Sequence, residues 1–201
     1  METIQQAHFP DIAPMPDRGY RTVVADPPWA YDDDLDHEGA GASSQYETMT
    51  RAQVMALGQQ VNNITAGHSH LYLWTTNAFV GDAHDVARAW GFTPKTMVTW
   101  CKVTDAPETL PHEREDDPMV NEYIGMGRYV CNATEHILVC AKGTKLTNRN
   151  DVPSYFFAER GEHSSKPEKS YRLVEQLSDG PFLELFARSS RDGWDAWGKE
   201  V

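Results

Sequence analysis

The sequence predicts an α/β domain with a mostly parallel sheet. Short runs rich in β-branched and aromatic residues, such as TVVA at 22–25 and HLYLWT at 70–75, have the length and composition of buried strands. The segments between such runs carry apolar residues at helical spacing, and glycines and prolines stand at their ends. Strands that alternate with helices in this way are typical of a sheet whose strands run mostly parallel.

The elements can be assigned from the N-terminus onward. Residues 1–19 hold prolines and a glycine among isolated apolar residues, and they predict an irregular arm. The strand at 22–25 ends at the DPPW segment, 26–29, because prolines cannot donate to a strand ladder. The acidic and glycine-rich segment 32–45 offers little to bury and predicts a mobile loop. The later elements are expected to be a helix over 50–61 capped by Thr50, a strand over 70–75, a helix from the cap Asn77 to Gly91, strands over 96–101, 136–141 and 154–158, a helix over 166–178 and a strand over 182–187.

Residues 103–128 interrupt this alternation. The segment is acidic and proline-rich, and it is too long for an ordinary connection between elements. We expect it to be a functional insertion that docks a partner subunit or a second copy of the chain, although acidic runs are often plain solvated surface. The whole chain, 1–201, is predicted to form one domain.

The charge balance limits the possible functions. The chain of 201 residues has 18 Lys and Arg against 30 Asp and Glu, a net charge of −12. Such an excess of carboxylates argues against a protein that binds nucleic acid by overall electrostatics alone. A nucleic-acid function then needs a local basic rim. Its candidates, which are otherwise ordinary surface, are Lys142, Lys145, Arg149, Arg160, Lys166 and Lys169.

Cysteine usage and the N-terminus predict a cytoplasmic protein. Cys101, Cys131 and Cys140 lack CxxC spacing and are expected to be reduced thiols. The first residues have neither the basic region nor the apolar run of a signal peptide. His68 and His70 have the spacing of a metal pair, but no third ligand stands near them in the sequence, so no metal site is predicted.

The candidate site lies where predicted strands end. Ligands of open α/β sheets bind beside the carboxyl ends of the strands. These positions hold the DPPW segment after the first strand, Asn77 after the second, and Glu184 and Arg188 on and after the last. The absence of GxxxxGK[ST] and GxGxxG sequences argues against nucleotide triphosphate hydrolysis and ordinary dinucleotide binding.

The DPPW segment, Asp26-Pro27-Pro28-Trp29, suits an exocyclic amine on a nucleobase. The prolines fix φ, so the Asp26 carboxylate and a backbone carbonyl can converge on one amino group. Two acceptors draw the nitrogen lone pair out of conjugation with the ring, and the indole offers a surface on which a base can stack.

These residues resemble the catalytic motif of the MT-A70 family of S-adenosylmethionine-dependent adenine N6 methyltransferases. The resemblance covers roughly residues 20–201. It also includes LYLWTTN at 71–77, WGF at 90–92, VTWCK at 98–102, TEHILVCAKG at 134–143, HSSKPEKSY at 163–171 and LELFARSSRDGWDAWGKE at 183–200. The four-residue DPPW motif alone is a moderately specific signal of the family, whereas the full set of segments in this order is a strong one.

The resemblance implies a Rossmann-like class I methyltransferase sheet with helices on both faces and circularly permuted motif order. Catalysis would then fall to Asp26, Pro27, Pro28 and Trp29, with Asp26 and the Pro27 carbonyl accepting the adenine N6 hydrogens. The residues implied to bind S-adenosylmethionine are Asp26, Lys166, Glu184, Arg188, Ser190, Lys199 and Glu200, with His8 or Phe9 as further backbone contacts. Candidates for the substrate wall are Trp29, Tyr46, Asn77 and Glu135, the last of which is equally explained as a strand-entry residue. Trp74, Trp90 and Trp100 are expected in the core.

The substrate implied is a polynucleotide, with DNA favoured over RNA, because the chain resembles the short phage and bacterial members. Two departures stand out: Lys199 replaces the asparagine of many relatives, and the 103–128 insertion is acidic rather than basic. The alternatives are a non-catalytic scaffold subunit and an enzyme that methylates a free nucleotide or a protein amide nitrogen.

Overall fold

The computed structural model describes residues 15, 18–30, 48–113, 123, 129–144, 146–161 and 165–201. Several sequence predictions lie outside these residues: most of the arm at 1–19 including His8 and Phe9, the 32–45 loop, Tyr46, Lys145 and most of 114–128.

The described residues form a seven-stranded sheet. Its strands are β1 Tyr20–Ala25, β2 Thr65–Thr75, β3 Thr93–Val103, β4 Thr134–Lys142, β5 Tyr155–Glu159, β6 Phe182–Leu185 and β7 Trp194–Trp197. They are ordered β5-β3-β4-β2-β1-β6-β7 across the sheet. Only β4 pairs antiparallel with its neighbours, and the other strands share one direction. The prediction of a mostly parallel α/β sheet is confirmed.

Four α-helices accompany the sheet in the described part of the chain. They are α1 Arg51–Ala56, α2 Gly58–Ile64, α3 Val80–Ala89 and α4 Glu168–Leu177. None of these helices has the length and apolarity needed to cross a membrane. Thr50 caps α1 as predicted, in a reciprocal pair of hydrogen bonds with Gln53. The single helix expected over 50–61 is divided at Leu57 into α1 and α2. Gly58, the first residue of α2, packs so closely on α3 that a Cβ there would lie 2.6 Å from the Ala89 carbonyl oxygen.

Two further element predictions were wrong. Asn77 does not cap α3 but lies in a short 3₁₀ turn, Asn77–Phe79, and its side chain contacts His136 instead. Strand β7 at Trp194–Trp197 was missed, because a four-residue edge strand in a glycine-rich tail has too little apolar pattern to reveal it. It pairs with β6 along its whole length.

Helices cover both faces of the sheet, as the resemblance implied. Helices α1, α2 and α3 pack on one face against the side chains of Val23, Leu71 and Leu183. Helix α4 packs on the other face against residues that alternate with these, such as Val24 and Tyr72. Trp74 and Trp100 are buried on the α4 face and Trp90 on the opposite face, so their predicted core role is confirmed.

Trp90 gives a direct test of this packing. Its side chain is fully buried, and its indole N–H donates to the Val54 carbonyl oxygen at 2.9 Å. Trp90→Ala is expected to lower the free energy of unfolding by about 3–5 kcal/mol, measured by urea denaturation. Leu146→Ala is the control, since Leu146 is 83% exposed and should change stability by less than about 0.5 kcal/mol. Equal effects from the two variants would contradict the assignment of Trp90 to the core.

Candidate active site

Charged side chains converge at one edge of the sheet. Asp26 directly follows β1, and Glu135 is the second residue of the antiparallel β4, which starts where its neighbours end. Lys102 lies near the end of β3 and Lys166 just before α4. Asp26, Lys102 and Glu135 lie on the α4 side of the sheet. Each is two residues along the chain from a strand residue that faces α4, namely Val24, Trp100 and Ile137. Lys166 lies on the same side, because it precedes α4 itself.

Lys166 and Lys102 bind the two carboxylates in an alternating chain of charges. Lys166 Nζ lies 2.9 Å from Asp26 Oδ2 and 3.2 Å from Glu135 Oε2. Lys102 Nζ lies 2.7 Å from the other oxygen of Glu135, Oε1. The four side chains are 11–22% exposed. Two cations therefore balance two anions in a largely desolvated place, where such contacts are strong.

Two indole rings lie beneath this chain of charges. Lys166 Nζ is 5.0 Å from the ring centroid of Trp74, and Lys102 Nζ is 5.1 Å from that of Trp100. The two indoles meet edge to face, with centroids 6.2 Å apart. Ammonium groups at this distance from an aromatic face are attracted by its quadrupole. The rings thus hold both lysines in place as well as filling the core.

Burial and pairing set the charge states of the site. Burial raises the pKa of Asp26 above its usual range, and the Lys166 ammonium opposes that rise. Burial acts in the same direction on Glu135, but Lys166 and Lys102 outweigh it and hold the pKa of this carboxyl below its usual value. The two carboxylates in turn outweigh burial at Lys166 and raise its pKa. Glu135 and Lys166 are therefore held in their charged forms, whereas burial favours the protonated form of Asp26.

The proline segment is tied down on both sides. Trp29 N–H donates to the Pro27 carbonyl oxygen at 2.9 Å, and Met49 N–H donates to the Pro28 carbonyl oxygen at 2.7 Å. The Trp29 indole N–H donates to the Trp74 carbonyl oxygen at 3.2 Å. A carbonyl oxygen has two lone pairs, so the Pro27 carbonyl can accept a second hydrogen. These bonds fix the segment between Asp26 and Trp29 before any ligand arrives.

The Trp29 ring is less open than a free stacking surface. Its side chain is 8% exposed, and it stacks against Phe79 with centroids 5.5 Å apart. Trp29 and Phe79 both belong to the face of the sheet that α1, α2 and α3 cover. The ring can thus offer only a narrow part of its surface to a base, and its predicted contact with the substrate stays a prediction.

Asn77 lies at the same edge of the sheet but on the side away from Lys166. Its Oδ1 is 2.6 Å from His136 Nε2, and His136 Nδ1 is 3.1 Å from Thr99 Oγ1. Burial lowers the pKa of His136, so the imidazole is neutral at pH 7. The structure therefore brings Asn77 and Glu135 to one edge but places them on different faces.

The remaining cofactor candidates follow the last two strands. Glu184 lies on β6, and its Oε1 accepts a hydrogen bond from the Tyr171 hydroxyl at 2.7 Å. The Ala187 N–H donates to the Trp197 carbonyl oxygen at 3.0 Å and closes the ends of β6 and β7 together. The residues that follow these ends, at the same edge as Asp26, are Arg188, Ser190, Lys199 and Glu200. Phe186, directly after β6, has a φ of 65°, a left-handed conformation that is strained for a residue with a side chain.

Sequence reasoning missed Lys102 and Tyr171. Lys102 could have been predicted. It lies two residues after Trp100, so strand alternation places both side chains on the same face, near the strand ends that carry the site. Tyr171 had no such signal, since its partner Glu184 comes from another element. No cluster of metal-ligating side chains occurs within the described ranges, His68 and His70 included.

The predicted basic rim is not one surface. Lys142 lies at the far end of β4, about 23 Å along the strand from Glu135, where it binds the Asn62 carbonyl and the Thr65 hydroxyl. Arg149 is paired with Asp151, and Lys169 donates to the Phe157 and Pro107 carbonyls. Of these cations, those that the structure describes are thus mostly structural, and among them only Lys166 belongs to the site itself.

The comparison with known families agrees with this geometry. The model of the MT-A70 family matches residues 20–200 of the chain, which is nearly all of it. The chain belongs to the MT-A70 family. The matched range includes β1 with the DPPW segment, the strand that carries Glu135, and the region from Lys166 to Glu200.

Relatives of this MT-A70 chain are named as methyltransferases. A Mycoplasma protein named Type II methyltransferase M.MunI is 30% identical over 96% of this chain and 81% of its own length. A Medicago truncatula protein named as a putative N(6)-adenosine-methyltransferase is 26% identical, and the human N(6)-adenine-specific methyltransferase METTL4 is 24% identical. Each of these two is matched over 90% of this chain but only 26% and 37% of its own length. The chain is therefore a member of a family of N6-adenine methyltransferases.

Proposed function

We propose that this chain transfers a methyl group from S-adenosylmethionine to N6 of adenine in a polynucleotide, with DNA favoured over RNA. The observation that carries the proposal is the position of Asp26. This carboxylate stands at the carboxyl end of β1 beside Lys166, directly before two prolines that are fixed by backbone hydrogen bonds. That is an acceptor pair suited to an amino group, in a family of adenine methyltransferases.

Asp26 and the Pro27 carbonyl do the chemistry on the substrate side. Each accepts one hydrogen of the adenine N6 amino group, which frees the nitrogen lone pair from the ring. Their fixed positions hold this nitrogen in line for attack, so most of the acceleration comes from positioning. As the new N–C bond forms, the bond between the methyl group and the sulfonium sulfur would break and leave a neutral thioether. One N6 proton is lost, and ionised Asp26 is the adjacent base that can take it.

S-adenosylmethionine would supply the methyl group on a positively charged sulfur. The site has groups that match this cofactor. The half-buried Glu184 carboxylate can accept hydrogen bonds from ribose hydroxyls, and the Lys166 ammonium can bind the carboxylate of the methionine part. An ammonium has three N–H donors, and Asp26 and Glu135 occupy two of them, so Lys166 can bind a third acceptor. Further contacts are assigned to Arg188, Ser190, Lys199 and Glu200.

DNA is the favoured polymer for two reasons. The chain resembles the short bacterial and phage members of the family, and the Mycoplasma type II methyltransferase is matched over about four-fifths of its length. The proteins named for N(6)-adenosine are matched over about a quarter of theirs. Glu135, Asn77, Trp29 and Tyr46 are assigned to the substrate wall, with Tyr46 outside the described residues.

Transfer of a labelled methyl group to matched oligonucleotides tests the choice of polymer. We expect DNA to be methylated at least about tenfold faster than RNA of the same sequence, and a free adenine nucleotide to be methylated more slowly than either. Lysine and arginine contacts to phosphates release counterions, so turnover at subsaturating oligonucleotide should fall as the salt concentration rises from 50 to 200 mM. Faster methylation of RNA would contradict the assignment to DNA, and faster methylation of the nucleotide would contradict the assignment to a polymer.

A partner or second copy is proposed to bind through the acidic insertion at 103–128, and the cytoplasm is proposed as the place of action. The beginning of the insertion is anchored on its own chain. Leu110 is fully buried, and the His112 ring lies 2.9 Å from Gln176 of α4. The proposed docking surface therefore begins after Glu113, in residues outside the described part.

A further inference from the structure

We propose that Tyr171 is a positioning residue that orients the Glu184 carboxylate toward S-adenosylmethionine, and that Arg191 and Glu168 lock Tyr171 in that position. The inference rests on the proposed function, in which Glu184 binds the cofactor ribose. Tyr171, on the first turn of α4, contacts no predicted substrate residue itself, so it would act only through Glu184.

The bond between Tyr171 and Glu184 fixes one carboxylate oxygen. The Tyr171 hydroxyl donates to Glu184 Oε1 at 2.7 Å, and both side chains are half-buried. Among the described residues, no other hydrogen bond to the Glu184 carboxylate occurs. A carboxylate held by one oxygen keeps its rotamer and presents the second oxygen, Oε2, in a set direction. A ribose hydroxyl needs such a fixed acceptor.

The Tyr171 ring is itself clamped. The Arg191 guanidinium carbon lies 3.8 Å from the ring centroid, and Arg191 forms two parallel bonds to the Glu168 carboxylate at 2.6 and 2.5 Å. The Trp194 ring meets the Tyr171 ring edge to face at 5.6 Å. A guanidinium held by a planar two-bond pair cannot slide off the ring without breaking both bonds. The hydroxyl is thus held against Glu184 by contacts that do not involve the hydroxyl.

This arrangement also ties together two elements of the cofactor site. Glu168 and Tyr171 belong to α4, whose start follows Lys166 directly. Arg191 belongs to the segment between β6 and β7 that also carries Arg188 and Ser190. The cluster formed by Glu168, Tyr171, Glu184 and Arg191 therefore lies where the two proposed cofactor-binding segments meet.

Tyr171→Phe tests the role of the hydroxyl, because it removes one oxygen and leaves the ring contacts in place. Isothermal calorimetry with S-adenosylmethionine is expected to show about tenfold weaker binding, which corresponds to about 1.4 kcal/mol. At saturating cofactor, kcat is expected to stay within about twofold of the wild-type value. Tyr155→Phe is the matched control: Tyr155 is a half-buried tyrosine on β5, packed edge to face on Phe157, and it should bind the cofactor as the wild type does.

The pH dependence of cofactor binding separates positioning from a general loss of stability. Burial raises the pKa of Glu184, the Tyr171 hydrogen bond opposes this rise, Asp26 adds to it, and Arg191 and Lys166 oppose it. Removing the Tyr171 hydroxyl leaves the other groups in place and raises the pKa of Glu184 further. Cofactor affinity depends on the ionised Glu184 carboxylate. As the pH is lowered, this affinity should therefore begin to fall at a higher pH in Tyr171→Phe than in the wild type. A merely structural role would lower affinity equally at every pH.

Three results would overturn the inference. Equal affinity of Tyr171→Phe and wild type would show that the hydroxyl does not orient Glu184. Weaker binding with an unshifted pH dependence, or an equal loss in Tyr155→Phe, would assign the effect to stability. In these cases the wild-type chain still binds S-adenosylmethionine, so the proposed function stands. Absence of cofactor binding by the wild-type chain would instead contradict the proposed function, and the inference with it.

Discussion

Asp26→Asn is expected to reduce methyl transfer by about a thousandfold while the fold stays intact. An amide keeps one acceptor oxygen for the amino group but has no negative charge, so it cannot take the proton that N6 loses. Losses of about 10²–10³-fold are typical when one preorganised group that stabilises the transition state is removed. Turnover at saturating cofactor and oligonucleotide measures the effect.

The stability of this variant distinguishes catalysis from folding. Glu135 still pairs with Lys166 when residue 26 is a neutral amide, so Asp26→Asn should destabilise the protein less than Lys166→Met does. Asp151→Asn is the matched control, because Asp151 is an exposed aspartate paired with Arg149 and lies far from the proposed chemistry along the chain. Near-normal turnover in Asp26→Asn would remove Asp26 from the proposed mechanism.

Lys166→Met is expected to destabilise the protein strongly. Lys166 is the shared counter-ion of Asp26 and Glu135, at 2.9 and 3.2 Å, and its side chain is 11% exposed. Removing one partner of a buried ion pair leaves charges without compensation, at a cost of about 3 kcal/mol. Urea denaturation at pH 8 should show this loss. Lys95→Met serves as control, since Lys95 is an exposed lysine on β3.

The loss caused by Lys166→Met should shrink as the pH falls. Without Lys166, burial is opposed less at Asp26 and Glu135, so the folded-state pKa of both carboxyls rises. Where the folded pKa exceeds the unfolded one, the folded state binds more protons, and stability increases as pH decreases through that window. The stability difference between wild type and Lys166→Met should therefore be smaller at pH 5 than at pH 8. A difference independent of pH would contradict the charge assignment.

Much of the fold could be predicted from the sequence because its strands carry strong local patterns. The runs of TVVA and HLYLWT are buried on both faces, which makes them mostly apolar, and they form the adjacent strands β1 and β2. The exceptions involve contacts between elements. Gly58, just after the break at Leu57, packs closely on α3, and β7 pairs along its whole length with β6.

The site was predictable residue by residue but not in its pairings. Asp26 was proposed from the DPPW motif, and Lys166 and Glu135 were proposed from the family resemblance. Nothing in the spacing of the three residues shows that one ammonium binds both carboxylates. Lys102 and Tyr171 entered only through contacts between elements far apart in sequence. Electrostatic pairing at a sheet edge depends on strand order, which the sequence pattern does not encode.

We propose that Asp26 and the Pro27 carbonyl direct a methyl group to the N6 amino group of adenine. Mass spectrometry can test this on nucleosides from DNA treated with the protein and S-adenosylmethionine that carries a deuterated methyl group. We expect labelled N6-methyldeoxyadenosine from the wild type and a nearly complete loss of it from Asp26→Asn. Label on another base or on protein, or equal labelling of adenine by Asp26→Asn, would contradict it.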